Sequence, residues 1–426
     1  MKIDNLKAYL LGLLVLLNIS TFNASAQVQG GNGSNVLGQN LAKTDNVITT
    51  AVPFLSIGPD AREGGLGDAG VAQDPSVNST YWNPSELAFI DQQMGFSASY
   101  APWLRYLVPD INLSYLSWFY KLSQGQTIGG SLRYFSLGNI EFTDNNGVQT
   151  GTFNPNEFAL DFSYSRQLGD QWSGAMTGRY IYSNLTGASA VNGLYTRPGQ
   201  SFAVDLSTYY HSKDLQIAGK KCLFRAGVDI SNLGPKISYS NDGIADFLPM
   251  NIRLGPSLTM NLDDYNKLTV LVDFSKLLVP TPPFYWLSKV NGSDSVKNGQ
   301  PVIMEGMNPN VSVTDGILQS FYDAPGGLTE ELNEIDISGG VEYWYDNQFA
   351  FRVGFFYENQ YQGGRQYLTM GAGFKMNVLN IDVAYLLPIS PNNPLENTLR
   401  LTLGFSFDKP KAGDKKDDAQ DGDSPQ

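Results

Sequence analysis

Thr398-Leu399-Arg400-Leu401-Thr402-Leu403-Gly404-Phe405-Ser406-Phe407 sets an apolar side chain at every odd position and a polar or small one at every even position. Side chains of a strand alternate between its two faces, so this stretch reads as a strand with one apolar and one polar face. The alternation recurs along the chain. Ile252, Leu254, Leu258 and Met260 interleave with Arg253, Gly255, Ser257 and Thr259, and Phe158, Leu160, Phe162 and Tyr164 with Ala159, Asp161, Ser163 and Ser165. Phe349, Phe351, Val353, Phe355 and Tyr357 make another apolar set. From Met94 onward fourteen such segments follow one another, with no long helical period between them. They start near Met94, Asp110, Thr127, Glu157, Trp172, Gln200, Cys222, Met250, Lys267, Ile335, Phe349, Gln366, Leu379 and Thr398. An even number of alternating strands about ten residues long is what an outer-membrane barrel needs. Closure is the physical reason: in lipid every backbone N–H and C=O needs an internal partner, and an open sheet edge has none. The expected fold class is all-β, a 14-stranded antiparallel transmembrane β-barrel of the outer membrane over residues 94–407.

The connections and the charges support this independently. Those after even-numbered strands are tight (Ser123-Gln124-Gly125, Gly169-Asp170, Asp263-Asp264, Asp346-Asn347, Asn377), apart from a longer one near Ser212–Lys221. Those after odd-numbered strands are often long: Thr143–Asn156, Leu185–Gly199, Gly234–Pro249 and Leu277–Glu334. Short periplasmic turns opposite long outer loops are the habit of such barrels. Asp161, Arg179, Asp205, Arg225, Asp229, Arg253, Asp273, Glu342, Arg352, Asp382 and Arg400 all fall on the polar face. A mid-membrane Arg facing lipid costs about 2–4 kcal/mol, so this face is expected to line the lumen. Its mixed signs predict internal ion pairing and not a single-sign filter.

Composition closes off other classes. Only 16% of the 426 residues are charged, against about 25% in ordinary soluble domains. Asp and Glu (41) outnumber Lys and Arg (28), a balance that repels nucleic-acid phosphates. One Cys (Cys222) and one His (His211) exclude a disulfide within the chain and a Cys/His zinc site; no metal and no cofactor is expected. The only apolar stretch approaching a spanning helix is N-terminal, where Lys2 and Lys7 precede Tyr9–Leu17 and Ala24-Ser25-Ala26 offers small residues for cleavage. Residues 1–26 read as a secretory signal peptide. Residues 27–93 are expected to form a flexible N-terminus and a luminal plug, and 408–426 a disordered periplasmic tail after the closing aromatic Phe407. Both termini are then placed in the periplasm.

Between these parts lies Ser56-Ile57-Gly58-Pro59-Asp60-Ala61-Arg62-Glu63-Gly64-Gly65-Leu66-Gly67-Asp68-Ala69-Gly70-Val71-Ala72, followed by Trp82-Asn83-Pro84. Gly-Gly-x-Gly is not a phosphate loop here, because no Lys-Ser/Thr follows and no βαβ unit surrounds it. Glycines at this density suit tight backbone packing inside a barrel. With Asp74 and Leu87, the segment resembles the N-terminal plug of the FadL-like (outer membrane transport protein) barrel superfamily, and most closely the PorV (LptO-type) family of the type IX secretion system of Bacteroidetes. Ser85-Glu86 departs from the Ala-Lys expected in relatives. The resemblance implies a plug motif made by Arg62, Gly64, Gly65, Gly67, Asp68, Ala69, Asn83 and Pro84. It also implies a non-enzymatic outer-membrane protein that recognises the C-terminal signal domain of secreted cargo. Such a protein would take cargo from a large translocon barrel (SprA- or Sov-like) and deliver it to a cell-surface attachment complex with a PorU-like, sortase-type protease. Outer-membrane lipid is the other expected partner.

The longest connection carries Val279-Pro280-Thr281-Pro282-Pro283-Phe284-Tyr285-Trp286. Pro282, Phe284, Tyr285 and Trp286 are candidate anchors for cargo or a partner; the other reading places these aromatics in the lipid-interface belt. Two rival functions remain. A FadL-like transporter of hydrophobic compounds would need a lumen pocket and a lateral kink or gap in the wall. A barrel-wall hydrolase would need a Ser–His pair, and His211 with Ser212 and Asp214 is the only material for one. Neighbours on a strand point to opposite faces, so no catalytic residue is assigned.

Overall fold

The computed structural model describes residues 46–408 apart from 105–109, 144–145, 186, 188–189, 192–193, 241–244, 287–295, 298–299, 390–394 and 397. The expectations for the signal peptide, for most of the flexible N-terminus and for the tail fall outside the described residues.

Fourteen long strands form the wall: β1 (Met94–Pro102), β2 (Ile111–Ser123), β3 (Gln126–Leu137), β4 (Asn156–Gln167), β5 (Trp172–Asn184), β6 (Gly199–His211), β7 (Lys220–Leu233), β8 (Asn251–Asn261), β9 (Asn266–Leu277), β10 (Ile335–Tyr345), β11 (Phe349–Tyr357), β12 (Gln366–Met376), β13 (Leu379–Pro388) and β14 (Leu399–Phe407). Each pairs antiparallel with its neighbours in sequence, and β1 pairs with β14 from Met94↔Phe407 to Tyr100↔Leu401. The sheet therefore has no free edge, which is the condition lipid imposes. The expected strand starts hold, the largest difference being Lys220 for Cys222.

The alternation is inside out, as a lipid-facing wall requires. The inward charges named above are buried, Arg253 partly so, while Phe162, Met176, Phe202, Phe351 and Val353 are exposed outward. Interior ion pairs link neighbouring strands. Arg179 Nε donates to Asp161 at 2.6 Å and its Nη2 to Asp205 at 2.7 Å. Arg352 bridges Glu342 and Asp382, at 2.7 and 2.6 Å. Arg133 joins Asp161 at 3.3 Å.

The tight turns use left-handed backbone where the reversal demands it, at Gly125, Asp346–Asn347 and Asn377. The longer even-side connection is a small hairpin, with Leu215–Ile217 paired to Lys220–Cys222 around Ala218 and Gly219. In the long connections, Ile140–Thr143 pairs with Gln149–Phe153 and Phe284–Tyr285 with Ile303–Glu305.

Residues 46–93 run inside this wall through short helical turns. Pro53–Ser56 and Pro84–Phe89 are 3₁₀ turns with proline in the first turn; α1 (Ala61–Gly64) and α2 (Ser79–Trp82) are single α turns. The main apolar core sits where this segment enters: Val52, Phe54 and Leu55 pack with Leu113, Phe135, Ala159 and Ile181. The entry is at the end with the long connections, where Asn46 N donates to Tyr361 O at 2.9 Å and Ala51 N to Phe247 O at 2.9 Å. The exit is at the opposite end, where Gln93 N donates to Phe407 O at 2.8 Å. Asn46 and Asp408, the first and last described residues, thus lie at opposite ends of the barrel. The expectation for the two termini themselves falls outside the described residues.

Candidate functional site

The eight residues of the glycine-rich motif come together on the inner wall. Asp60 begins α1, its carboxylate accepting from Glu63 N at 3.2 Å and from Trp82 Nε1 at 2.7 Å. That turn aims Arg62 at β10, where its guanidinium grips Glu342 with two hydrogen bonds of 3.0 and 3.1 Å. Such a paired contact fixes direction as well as charge. Gly64 lies against Arg400, Gly65 against Gly371, and Gly67 against the backbone of Phe355. Gly67 has φ +72, and its N–H donates to Thr369 Oγ1 at 2.9 Å. Asp68 meets Arg400 and accepts from Tyr367 Oη at 2.5 Å. Ala69 packs with Leu66 and Leu271. Asn83 Nδ2 donates to Val71 O at 2.7 Å and to Thr208 O at 3.1 Å, while its Oδ1 accepts from Ser85 N at 3.1 Å. Pro84 starts the following 3₁₀ turn.

Several partners escaped the sequence reading. Asp273 accepts from Gly70 N and Val71 N at 2.7 and 2.9 Å, and Asp74 pairs with Arg225 and, at 3.4 Å, with Lys267. Glu86, the departure from the family pattern, accepts from Gln73 N at 2.8 Å and Ser79 Oγ at 2.6 Å. Burial pushes its carboxyl up to about 8, against the pull of those two donors. The available signal was position: Asp273, Arg225 and Thr369 all fall on inward registers.

Above the segment, toward the long connections, lies a cavity of about 330 Å3. Arg133, Arg253 and Arg365 line it with Asp336 and Glu358, beside Tyr81 and Trp82. The Arg253 guanidinium stands 4.9 Å from the Trp82 ring. Val47, Ile48, Ile57, Leu277 and Phe356 also line it, so the lining is mixed, apolar side chains beside charges of both signs. The wall beside it is closed, with a register shift in the β6–β7 ladder between Val204↔Leu233 and Leu206↔Ile230 and a gap in the β8–β9 ladder at Gly255-Pro256, between Leu254↔Phe274 and Ser257↔Leu271.

At the same end, the candidate anchors separate. Pro282 O accepts from Asn46 Nδ2 at 3.1 Å. Phe284 is buried, Tyr285 half-buried and Trp286 exposed. Phe284–Tyr285 pairs with Ile303–Glu305 through a register shift between Phe284 and Tyr285, and Trp286 N donates to Val302 O at 2.9 Å. Of the four, Trp286 offers the large exposed surface. His211 makes no Ser–His pair: Nδ1 lies 3.2 Å from Ser212 O, its ring packs edge-on to Phe89, and Ser212 Oγ accepts from Phe224 N at 3.0 Å.

A family model described as "Type IX secretion system protein PorV" matches residues 40–284. No curated protein sequence matches the chain. Among solved structures, the chain is similar to the Pseudomonas putida toluene transporter TodX, with 10% identity over 86% of this chain and 100% of that one and a TM-score of 0.48. The CymD monoaromatic hydrocarbon channel shows 12% identity over 85% and 100%, TM-score 0.46. A Pseudomonas aeruginosa FadL homologue shows 11% over 85% and 100%, TM-score 0.42. Likeness at this level concerns the fold, and what those channels carry does not transfer to this chain.

Proposed function

Because the chain belongs to the PorV family of type IX secretion system proteins, we propose that it binds the C-terminal signal domain of secreted cargo at the long-connection end of its barrel. It receives cargo from the large translocon barrel and hands it to the attachment complex with its sortase-type protease. In this reading residues 46–93 act as a plug, so the barrel is a receptor held in the outer membrane and conducts nothing itself. The observation that carries the reading is the family match over residues 40–284, which spans the segment inside the wall and the first nine strands. Two features of the geometry support it. The long connections converge on one end, where Asn46 alone bonds to Pro282, Glu330 and Tyr361. Trp286 stands exposed there, a residue type that commonly dominates binding energy.

The test is an affinity pull-down of the full chain from detergent-extracted outer membranes, read by mass spectrometry. Recovery of unrelated secreted proteins sharing one C-terminal domain, together with a very large barrel, is the expected result. W286A should lower cargo recovery while leaving the barrel folded. Recovery of lipid and general barrel-assembly proteins alone would overturn the proposal, as would normal surface anchoring of cargo in a deletion strain.

A further inference from the structure

The connection between β9 and β10 carries two short helices, α3 (Val313–Gln319) and α4 (Leu328–Asn333), and it folds over the rim of the wall, from the mouth, where Asn46 Nδ2 donates to Glu330 at 2.8 Å, to the outward face of β9. The register of β9 shows this. Thr269, Leu271 and Asp273 point inward and are buried; Val270 and Phe274 point outward and are exposed. Lys276 continues the outward set, opposite Ile335, yet it is only 8% exposed. Its ammonium is covered by α4, donating to Glu331 at 3.2 Å and also to Glu334. Met250 and Leu278 follow on the same outward register, joined by Leu278 N to Met250 O at 2.7 Å. Both are buried in the apolar cluster that also holds Phe247 and against which Val313 and Ile317 of α3 pack.

The polarity of this cover is reversed from that of a loop in water. Three of its acids are turned inward, with Asp315 of α3 exposed: Glu334 accepts from Thr281 Oγ1 at 2.6 Å, Glu331 from Ala324 N at 2.9 Å, and Asp323 from Thr281 N at 3.1 Å. Leu318, Phe321, Tyr322, Leu328 and Leu332 are each at least 52% exposed. Between Gly316 and Glu334 no exposed residue carries a charge. Contiguous apolar exposure marks a surface that meets something other than water, and charges buried on the lipid side of a wall are tolerated when paired. The rest of the outer wall has this same arrangement, apolar out and polar in. Phe274 and Ile337, facing each other one step below the Lys276–Ile335 pair, are part of it.

We propose that residues 316–334 are a membrane-embedded strap: their leucines and aromatics lie among the acyl chains of the adjoining leaflet, extending the lipid-facing band upward on the β9–β10 flank. Continuity with the band at Phe274–Ile337 selects lipid as the occupant. The proposal is independent of cargo binding.

Nitroxide labels at Leu328→Cys and Leu332→Cys, in a C222S background of the full chain, test it in vesicles of phosphatidylethanolamine and phosphatidylglycerol. Both sites are exposed, so folding should be unaffected, which heat-dependent gel mobility checks. Oxygen concentrates in acyl chains and a nickel chelate in water. The expected oxygen-to-chelate accessibility ratio is several-fold above that of a label at D264C in a tight turn, and comparable with F274C on the wall. A ratio matching D264C would overturn the proposal. Shielding that appears only after an outer-membrane protein extract is added would also overturn it and assign the surface to a protein partner.

Discussion

Alanine at Gly67 should loosen the segment inside the barrel without opening the wall, and a set of four glycines separates the reasons. Gly67 has φ +72, and a methyl there would stand 2.5 Å from Phe355 N and O. Left-handed backbone costs a non-glycine residue about 1–2 kcal/mol, and overpacking typically adds about 1–3 kcal/mol. G67A combines both, for a total of about 2–5 kcal/mol. Gly354 is the same contact seen from the wall: its methyl would overlap Gly67 N and Leu66 C, but its φ is ordinary, so only the packing cost applies. Gly147 has φ +80 with nothing nearby, and Gly178 has neither problem. Arg62 is the only Lys or Arg between residues 46 and 104, and it is buried. Trypsin cleavage after Arg62 in the folded protein therefore reports how often the segment leaves the wall, provided reclosing outpaces cleavage. At about 1.4 kcal/mol per tenfold, G67A should speed that cleavage about 30- to 5,000-fold and G354A about 5- to 150-fold. G147A and G178A should leave it unchanged. Equal cleavage in all four would refute the idea that close backbone approach holds the segment.

R400M should leave Asp68 with Tyr367 but without its cation, lowering stability by about 3–5 kcal/mol in urea titrations; D68N/R400M should recover part of the loss. Glu86 should make stability pH-dependent. Its carboxyl is raised by burial to about 8 in the folded state, against about 4.3 unfolded. The folded state then holds the proton more tightly, so this contribution falls as pH rises from about 5 to 8, and E86Q should flatten that part of the profile in denaturation midpoints. Val47 is exposed at the long-connection end. With those connections outside the cell, V47C should react with an impermeant maleimide on intact cells and D264C should not; the reverse pattern would invert the barrel.

How much of this was readable in advance follows from what sets each feature. Strands were legible because lipid outside and charge inside impose the strictest form of the period-two rule, and all that is needed to see it is one residue and its neighbour. Inward charges were legible for the same reason, but their partners were not. Arg62–Glu342 and Asp68–Arg400 join positions 280 and 332 residues apart, and alternation gives a face without giving a height along the barrel. Phe284 and Trp286 show a second limit: two residues apart they would share a face by period two, yet one is buried and the other exposed where the pairing with Ile303–Glu305 shifts register. Residues 316–334 show a third. Their apolar and acidic residues separate onto two sides, as on any surface helix, and periodicity does not say which side meets the protein. Lys276 decides it. A lysine on the outward register at the end of β9 needs a cover carrying carboxylates, so Glu331 and Glu334 must turn toward the wall. Leu328 and Leu332 are then left facing away, on the side where the wall itself meets lipid.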